Sequence, residues 1–180
     1  LLIGTILASL VSDGAVSFLY YADRVTQLPL GVVGVAVGTA LLPTLSRQLA
    51  AGEQIAAMKS QNRGLEIALL LTLPAAVALY VIAEPLIIVL FERGAFSASD
   101  SLATAWALMA YSTGLPAYVL IRVLTPGFFA REDTSTPVKI AAAAMIANIV
   151  LNLILMQFWE HVGIAIAASL SAWINAVALG

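Results

Sequence analysis

Residues 15–42 read AVSFLYYADRVTQLPLGVVGVAVGTALL, and charged side chains interrupt this apolar stretch only at Asp23 and Arg24. A helix needs about 20 mostly apolar residues to cross a bilayer, so the stretch predicts a transmembrane helix. The pattern recurs along the chain. The other apolar runs cover residues 1–12, 65–91, 101–124, 138–158 and 162–180. The first of these is too short to span a membrane, and we interpret it as the end of a truncated helix.

Composition places the whole chain in the membrane. Of its 180 residues, 62% are hydrophobic and 10% are charged, against about 25% charged in a typical soluble domain. A soluble enzyme of this length could not hide so much apolar surface. The net charge of -2, without a long basic run, excludes a nucleic-acid-binding domain, and the lack of cysteine excludes disulfides and thiolate metal sites. The runs lack the strict alternation of barrel strands. We therefore predict an all-α, polytopic transmembrane helix bundle from a longer membrane protein.

Basic residues predict the orientation of this bundle. Successive connections between spanning helices alternate between the two membrane faces, so residues 46–64 and 125–137 share one face. Only Arg93 lies on the opposite face. The positive-inside rule therefore places residues 46–64 and 125–137 in the cytoplasm. The basic residues on or beside these two connections are Arg47, Lys59, Arg63, Arg131 and Lys139.

Residues 43–63 are less apolar than their neighbours, and two interpretations are open. They form either a short amphipathic helix on the cytoplasmic interface or an ordinary solvated loop. Pro29, Pro74 and Pro116 fall inside predicted spans, where each tends to kink its helix. Kinked, glycine-rich spans are typical of transporters with moving helices, although proline and glycine are also frequent in membrane helices generally.

A polar and small-residue stripe follows the second predicted span. Its members are spaced alternately four and three residues apart, which keeps them on one helical face. Because polar side chains inside a membrane must face protein or water, this face should not contact lipid. The stripe comprises Asp13, Ser17, Tyr20, Arg24, Gln27, Gly31, Gly34 and Gly38.

Two arginines within the spans each allow more than one interpretation. Arg24 either forms a structural ion pair with Asp23 or another acid, or snorkels to the interface, or binds an anion in a water-filled cavity. Its planar fork of donors suits phosphate or carboxylate oxygens. Arg122 lies near the cytoplasmic end of its span, where it either snorkels to the interface or adds charge to the same basic cavity.

Asn148 and Asn152 share a face because they are four residues apart. They predict interhelical hydrogen bonds or, alternatively, a cation site built from side-chain oxygens, to which Ser169 and Ser171 could add. His161 is the only histidine, lies in a predicted external turn and has no ligand cluster around it. No constellation suggests catalysis, so we predict a protein that is not an enzyme.

Three colinear motifs resemble one known family. They are VSFLYYADRVTQLPLGVVGVAVGTALLPTLSR at 16–47, LFERGAFSASD at 90–100 and VLTPGFFAREDTSTPVK at 123–139. The chain resembles the MurJ (MviN) lipid II flippases of the multidrug/oligosaccharidyl-lipid/polysaccharide exporter superfamily. The resemblance implies one six-helix lobe of a two-lobed, fourteen-helix transporter in the bacterial inner membrane, with the first lobe outside this chain.

The resemblance also implies a mechanism and a set of site residues. Lipid-linked peptidoglycan precursor would cross by alternating access through a cationic cavity. Arg24 would hold its diphosphate, and Ser17, Tyr20 and Gln27 would line the same wall. Some members bind sodium between three helices, and Asn148 and Asn152 match positions of that site. At the apparent position of another sodium ligand stands Gly4, so we expect at most a weak cation site.

The sequence is also compatible with other functions. The chain could belong to a drug or polysaccharide exporter of the same superfamily, or to a non-transporting scaffold of cell-wall synthesis in which Arg24 forms a structural ion pair. We expect no cofactor, with coupling by sodium or by protons and membrane potential left open. The expected partners are lipid II, membrane lipid and the first lobe, and no nucleic acid.

Overall fold

Helices form almost all of the structure, a computed structural model that describes residues 14–94 and 96–180, without the side chains of residues 35 and 36. The run at 1–12, together with Gly4 and Asp13, lies outside the described residues. The elements are α1 (Ala15–Pro29), a π-helical segment (Leu30–Val35), α2 (Ala36–Ala50), α3 (Gln54–Val81), α4 (Ala83–Phe91), α5 (Ala98–Phe129) and α6 (Ser135–Leu179).

Four helical stretches are long and apolar enough to cross a membrane. They are Ala15–Ala50, which runs through the π-helical segment, Gln54–Val81, Ala98–Phe129 and Ser135–Leu179. The described residues contain no strand. The predicted all-α transmembrane bundle is confirmed.

Helix α6 is a hairpin of two arms. A straight helix of its 45 residues would be about 68 Å long at 1.5 Å per residue, roughly twice the hydrocarbon thickness of a bilayer. Instead the backbone leaves helical geometry at Trp159 and at Glu160, whose φ is 48°. Asn148 Nδ2 donates to Ser171 Oγ at 3.1 Å, although the two residues are 23 positions apart. The first arm (residues 135–158) and the second arm (residues 161–179) are therefore antiparallel.

Helix α5 is the centre of the bundle and contacts every other element. In its most apolar stretch 56% of the residues are buried, against 11–22% in the other three candidate spans. Small residues allow this close packing: a Cβ added at Gly114 would lie 2.9 Å from Ser169 Cα. Side chains of the second arm of α6 also donate to α5 carbonyls, Ser169 Oγ to Ala110 at 2.8 Å and Trp173 Nε1 to Thr113 at 3.0 Å.

Residues 43–63 form neither a separate interfacial helix nor a loop. Most of them extend α2 and α3, which are joined by a short turn in which Gly52 has a φ of 76°. Leu45 and Ala57 are buried together in one cluster between the two helices. The helices continue beyond the apolar run because a helix satisfies its own backbone hydrogen bonds in water as well as in lipid.

The non-helical part of the connection at 125–137 is likewise short, because α5 continues to Phe129 and α6 begins at Ser135. A Cβ added at Gly127 would lie 2.6 Å from the side chain of Gln61, which places the two predicted cytoplasmic connections at the same end of the bundle. At the opposite end, His161 on α6 contacts Phe18 on α1. The two ends match the alternation from which the orientation was predicted.

Candidate functional site

Helix α1 has a buried face and an open face. Leu19, Ala22 and Val25 are buried in a cluster with residues of α5 and α6. Ser17 and Arg24 are exposed, Tyr20 is 53% exposed and Gln27 is half-buried. The first part of the predicted polar stripe therefore faces away from the core of this chain. Inside a membrane such a face needs water or further protein against it, because lipid leaves its polar groups without hydrogen bonds.

Arg24 is held by its own helix rather than by an acid. Its guanidinium carbon lies 4.8 Å from the centroid of the Tyr20 ring, one turn earlier. Its Nη1 donates to Gln27 Oε1 at 3.4 Å, and Gln27 Nε2 donates to the Asp23 carboxylate. The structure shows no Asp23–Arg24 ion pair: the ion pair between described residues is Arg63–Glu66. Adjacent residues point about 100° apart on a helix, which keeps the two charges from direct contact.

The predicted stripe is interrupted after Gly31. A Cβ at Gly31 would meet nothing within 4 Å, whereas a Cβ at Gly34 would lie 2.8 Å from Arg122 Cδ. The π-helical segment at Leu30–Val35 is the cause. Its wider turns break the three-and-four spacing that put all stripe residues on one face. Gly34 is therefore buried against α5, and the prediction that the whole stripe shares one helical face does not hold beyond Gly31.

Arg122 of α5 lies against the π-helical segment. Its aliphatic chain crosses Gly34, and its side chain remains exposed. Gly34 is ten residues beyond Arg24, about 15 Å along a helix. The backbone carbonyl of Arg122 would lie 3.2 Å from a Cβ at Gly38. Pro126 has no N–H to offer this carbonyl, and a small residue opposite it allows close helix contact.

Asn148 and Asn152 form one polar cluster with Ser171. Asn152 Nδ2 donates to Asn148 Oδ1 at 3.0 Å, and Asn148 in turn donates to Ser171. Asn152 is 1% exposed, and its Oδ1 has no hydrogen-bond partner. Ser169 points elsewhere, to α5. The described residues hold no group of three or more His, Cys, Asp or Glu side chains that could bind a metal ion.

His161 follows the turn between the two arms of α6 and is buried there. Its Nε2 lies 3.1 Å from the carbonyl oxygen of Ala103, and its ring meets Phe18 edge-on at 5.5 Å. The sequence suggested only a polar turn, because a contact with a residue 58 positions earlier leaves no local pattern. Reasoning from sequence also missed the Gln27–Asp23 hydrogen bond. The four-residue spacing of this pair was the available signal.

One cavity lies away from Arg24. It has a volume of about 560 Å³ and opens between the start of α3 and the ends of α5 and α6. Gln61, Asn62, Arg131 and Trp173 line it, whereas none of the predicted site residues does. Among the described residues, Ser17, Tyr20 and Arg24 form an exposed surface of α1.

Comparison with known proteins identifies the family. The model of the family described as lipid II flippase MurJ matches residues 1–179. A probable lipid II flippase MurJ of Rhizobium tropici is 49% identical over 179 residues, which is 99% of this chain and 33% of that protein. A lipid II flippase MurJ of Burkholderia cenocepacia is 37% identical over 179 residues, which is 99% of this chain and 35% of that protein.

Solved structures agree with the sequence relatives. A lipid II flippase MurJ in an inward closed conformation superposes with a TM-score of 0.90 at 30% identity, covering 98% of this chain and 37% of that chain. The chain spans about a third of the length of the relatives it matches. The apolar spans, the motif around Arg24 and these matches lead to one conclusion: the chain belongs to the MurJ family of lipid II flippases.

Proposed function

We propose that this chain forms part of a flippase that moves lipid II across the bacterial inner membrane by alternating access, without covalent chemistry. Membership of the family and four membrane-spanning stretches support this proposal. The open face of α1 would form one wall of the transport cavity. Because the chain spans about a third of its relatives' length, the facing wall would come from the first lobe, and this chain alone would not enclose the pathway.

The observation that carries the proposal is the number of Arg24 hydrogen-bond donors that remain available to a ligand. Its guanidinium has five N–H donors, and one of them is engaged, by Gln27, among the described residues. A charged side chain at the bilayer centre costs about 2.5–3.5 kcal/mol on insertion scales. An anionic ligand in a hydrated cavity would offset that cost. The diphosphate of a polyprenyl-linked saccharide presents oxygens that match the planar fork of donors.

The other wall residues have distinct roles in this proposal. Tyr20 holds the guanidinium from one side, and Ser17 offers a hydroxyl one turn earlier on the same open face. Gln27 fixes the orientation of Arg24. Arg122 adds a second positive charge beside Gly34, where it would attract the anionic headgroup. Residues 46–64 and 125–137 would lie in the cytoplasm, so the headgroup would enter from their side.

We also propose that Asn148 and Asn152 join the two arms of α6 and bind a cation only weakly. Their hydrogen bonds to each other and to Ser171 support the structural role. The free Oδ1 of Asn152 is one neutral oxygen, whereas a cation that loses its water shell needs several oxygen ligands. Membrane potential or protons would then drive transport more than sodium does.

The test is lipid II translocation by a full-length flippase that carries this segment, reconstituted in liposomes. Arg24→Ala should reduce the rate at least tenfold, because a hydrogen bond to a charged group contributes about 1.5–3 kcal/mol. Arg24→Lys keeps the charge without the fork and should recover little of the loss. Both variants should unfold at the wild-type temperature. Normal translocation by a stable Arg24→Ala protein would overturn the diphosphate role and favour a scaffold with a structural arginine.

A further inference from the structure

The hydrogen bonds around Arg24 form a chain with a direction. The Asp23 carboxylate accepts from Gln27 Nε2, and Gln27 Oε1 accepts from Arg24 Nη1. A carboxylate only accepts and a guanidinium only donates. The amide between them therefore has one favourable orientation, because a flipped amide would oppose donor to donor and acceptor to acceptor.

We propose that Asp23 and Gln27 are positioning residues: the Asp23 carboxylate orients the Gln27 amide, and the amide holds the Arg24 guanidinium toward the open face for a diphosphate ligand. This inference rests on the proposed function of Arg24. Tyr20 completes the arrangement, since its ring lies 4.8 Å from the guanidinium carbon. The guanidinium is thereby constrained by a ring and by one hydrogen bond.

We call the Asp23–Gln27–Arg24 chain of hydrogen bonds the relay. The relay leaves the positive charge of Arg24 available to a ligand. A direct ion pair would occupy two donors and cancel the positive charge at the contact. Here Asp23 is half-buried. The guanidinium lies on the exposed side of the same helix. The neutral amide transmits orientation between the two groups and leaves the remaining donors of Arg24 available.

Loss of the relay should weaken ligand binding without affecting the fold. Ordering one long side chain on binding costs about 0.5–1.5 kcal/mol, which corresponds to about two- to tenfold in affinity. Gln27→Leu should therefore weaken binding about two- to tenfold. Asp23→Leu should do the same, and the double variant should be no weaker than either single variant, because both act through one contact. Asp23→Asn keeps an acceptor for the amide and should restore most of the affinity.

The experiment measures binding of farnesyl diphosphate, by calorimetry, to a detergent-solubilised full-length flippase that carries this segment. Farnesyl monophosphate serves as the second ligand, and thermal unfolding reports the fold of every variant. Gln157→Leu is the matched control, since Gln157 is exposed on α6, far along the chain from the site. It should bind as the wild type does.

Each outcome decides between the two proposals. Equal binding by the wild type and Arg24→Ala would overturn the proposed function of Arg24, and the relay with it. Loss of binding in Arg24→Ala, together with wild-type affinity in Gln27→Leu, would overturn the relay alone. Equal losses in Asp23→Leu and Asp23→Asn would show that an acceptor for the Gln27 amide is not enough, and would overturn the orienting role of Asp23. Recovery in Asp23→Asn, with wild-type unfolding temperatures throughout, is the result we expect.

Discussion

Gly163→Ala should separate the two arms of α6. A Cβ at this position would lie 2.3 Å from the carbonyl oxygen of Leu155 and 2.5 Å from its carbonyl carbon. Both atoms are backbone, so neither can rotate away, and the arms must move apart. The Asn148–Ser171 hydrogen bond crosses the same interface and would lengthen as well.

The expected cost follows from these contacts. Overpacking a well-packed interior costs about 1–3 kcal/mol, and rigid backbone on the other side places this case near 3 kcal/mol. Replacing glycine by alanine in a helix returns about 1 kcal/mol. The net loss should therefore be about 2 kcal/mol, which lowers the ratio of folded to unfolded protein roughly thirtyfold.

The assay is denaturant unfolding of the full-length protein in detergent, followed by tryptophan fluorescence, because Trp159 lies at the turn between the arms. Gly31→Ala is the matched control, since nothing lies within 4 Å of its added Cβ. It should unfold at or slightly above the wild-type midpoint. If Gly163→Ala unfolds at the same midpoint as Gly31→Ala, the two arms do not approach as closely as the distances from Gly163 to Leu155 require.

Gly34→Ala should displace Arg122, because the Cδ of Arg122 lies 2.8 Å from the new Cβ. Lipid II transport should fall no further in Gly34→Ala than in Arg122→Ala. A larger fall would show that the effect of Gly34→Ala does not act through Arg122. Sodium should stabilise the protein against heat no more than potassium at equal ionic strength, and a large sodium effect lost in Asn152→Ala would refute the weak cation site. The side-chain hydroxyl and the backbone N–H of Thr136, together with the backbone N–H of Ser135, donate to Asp133 and lower the pKa of its carboxyl below 3.8. The wild type should therefore have a higher free energy of unfolding than Asp133→Asn above pH 3.8, and this difference should disappear as the pH falls through the lowered pKa of Asp133. A difference that does not change with pH would contradict the prediction.

Local patterns predicted the framework of the candidate site. The spacing of Ser17, Tyr20, Arg24 and Gln27 follows the helical repeat, and the structure keeps all four on the open or half-open side of α1. Arg122 was expected near the cytoplasmic end of its span, and its contact with Gly34 could not be read from spacing. Contacts between distant segments leave no periodic signal in either segment.

The sequence by itself determined that this chain is a membrane helix bundle with a charged arginine on a polar helical face. Apolar runs of bilayer length and the 3.6-residue repeat are local properties, so they can be recognised in a single amino-acid sequence. Only the tertiary structure decided where the stripe ends and that His161 is buried. The π-helical segment turns Gly34 into α5, and the folded arms bring His161 to Ala103. These outcomes depend on close packing between segments, in which a single methyl group changes which helices can touch.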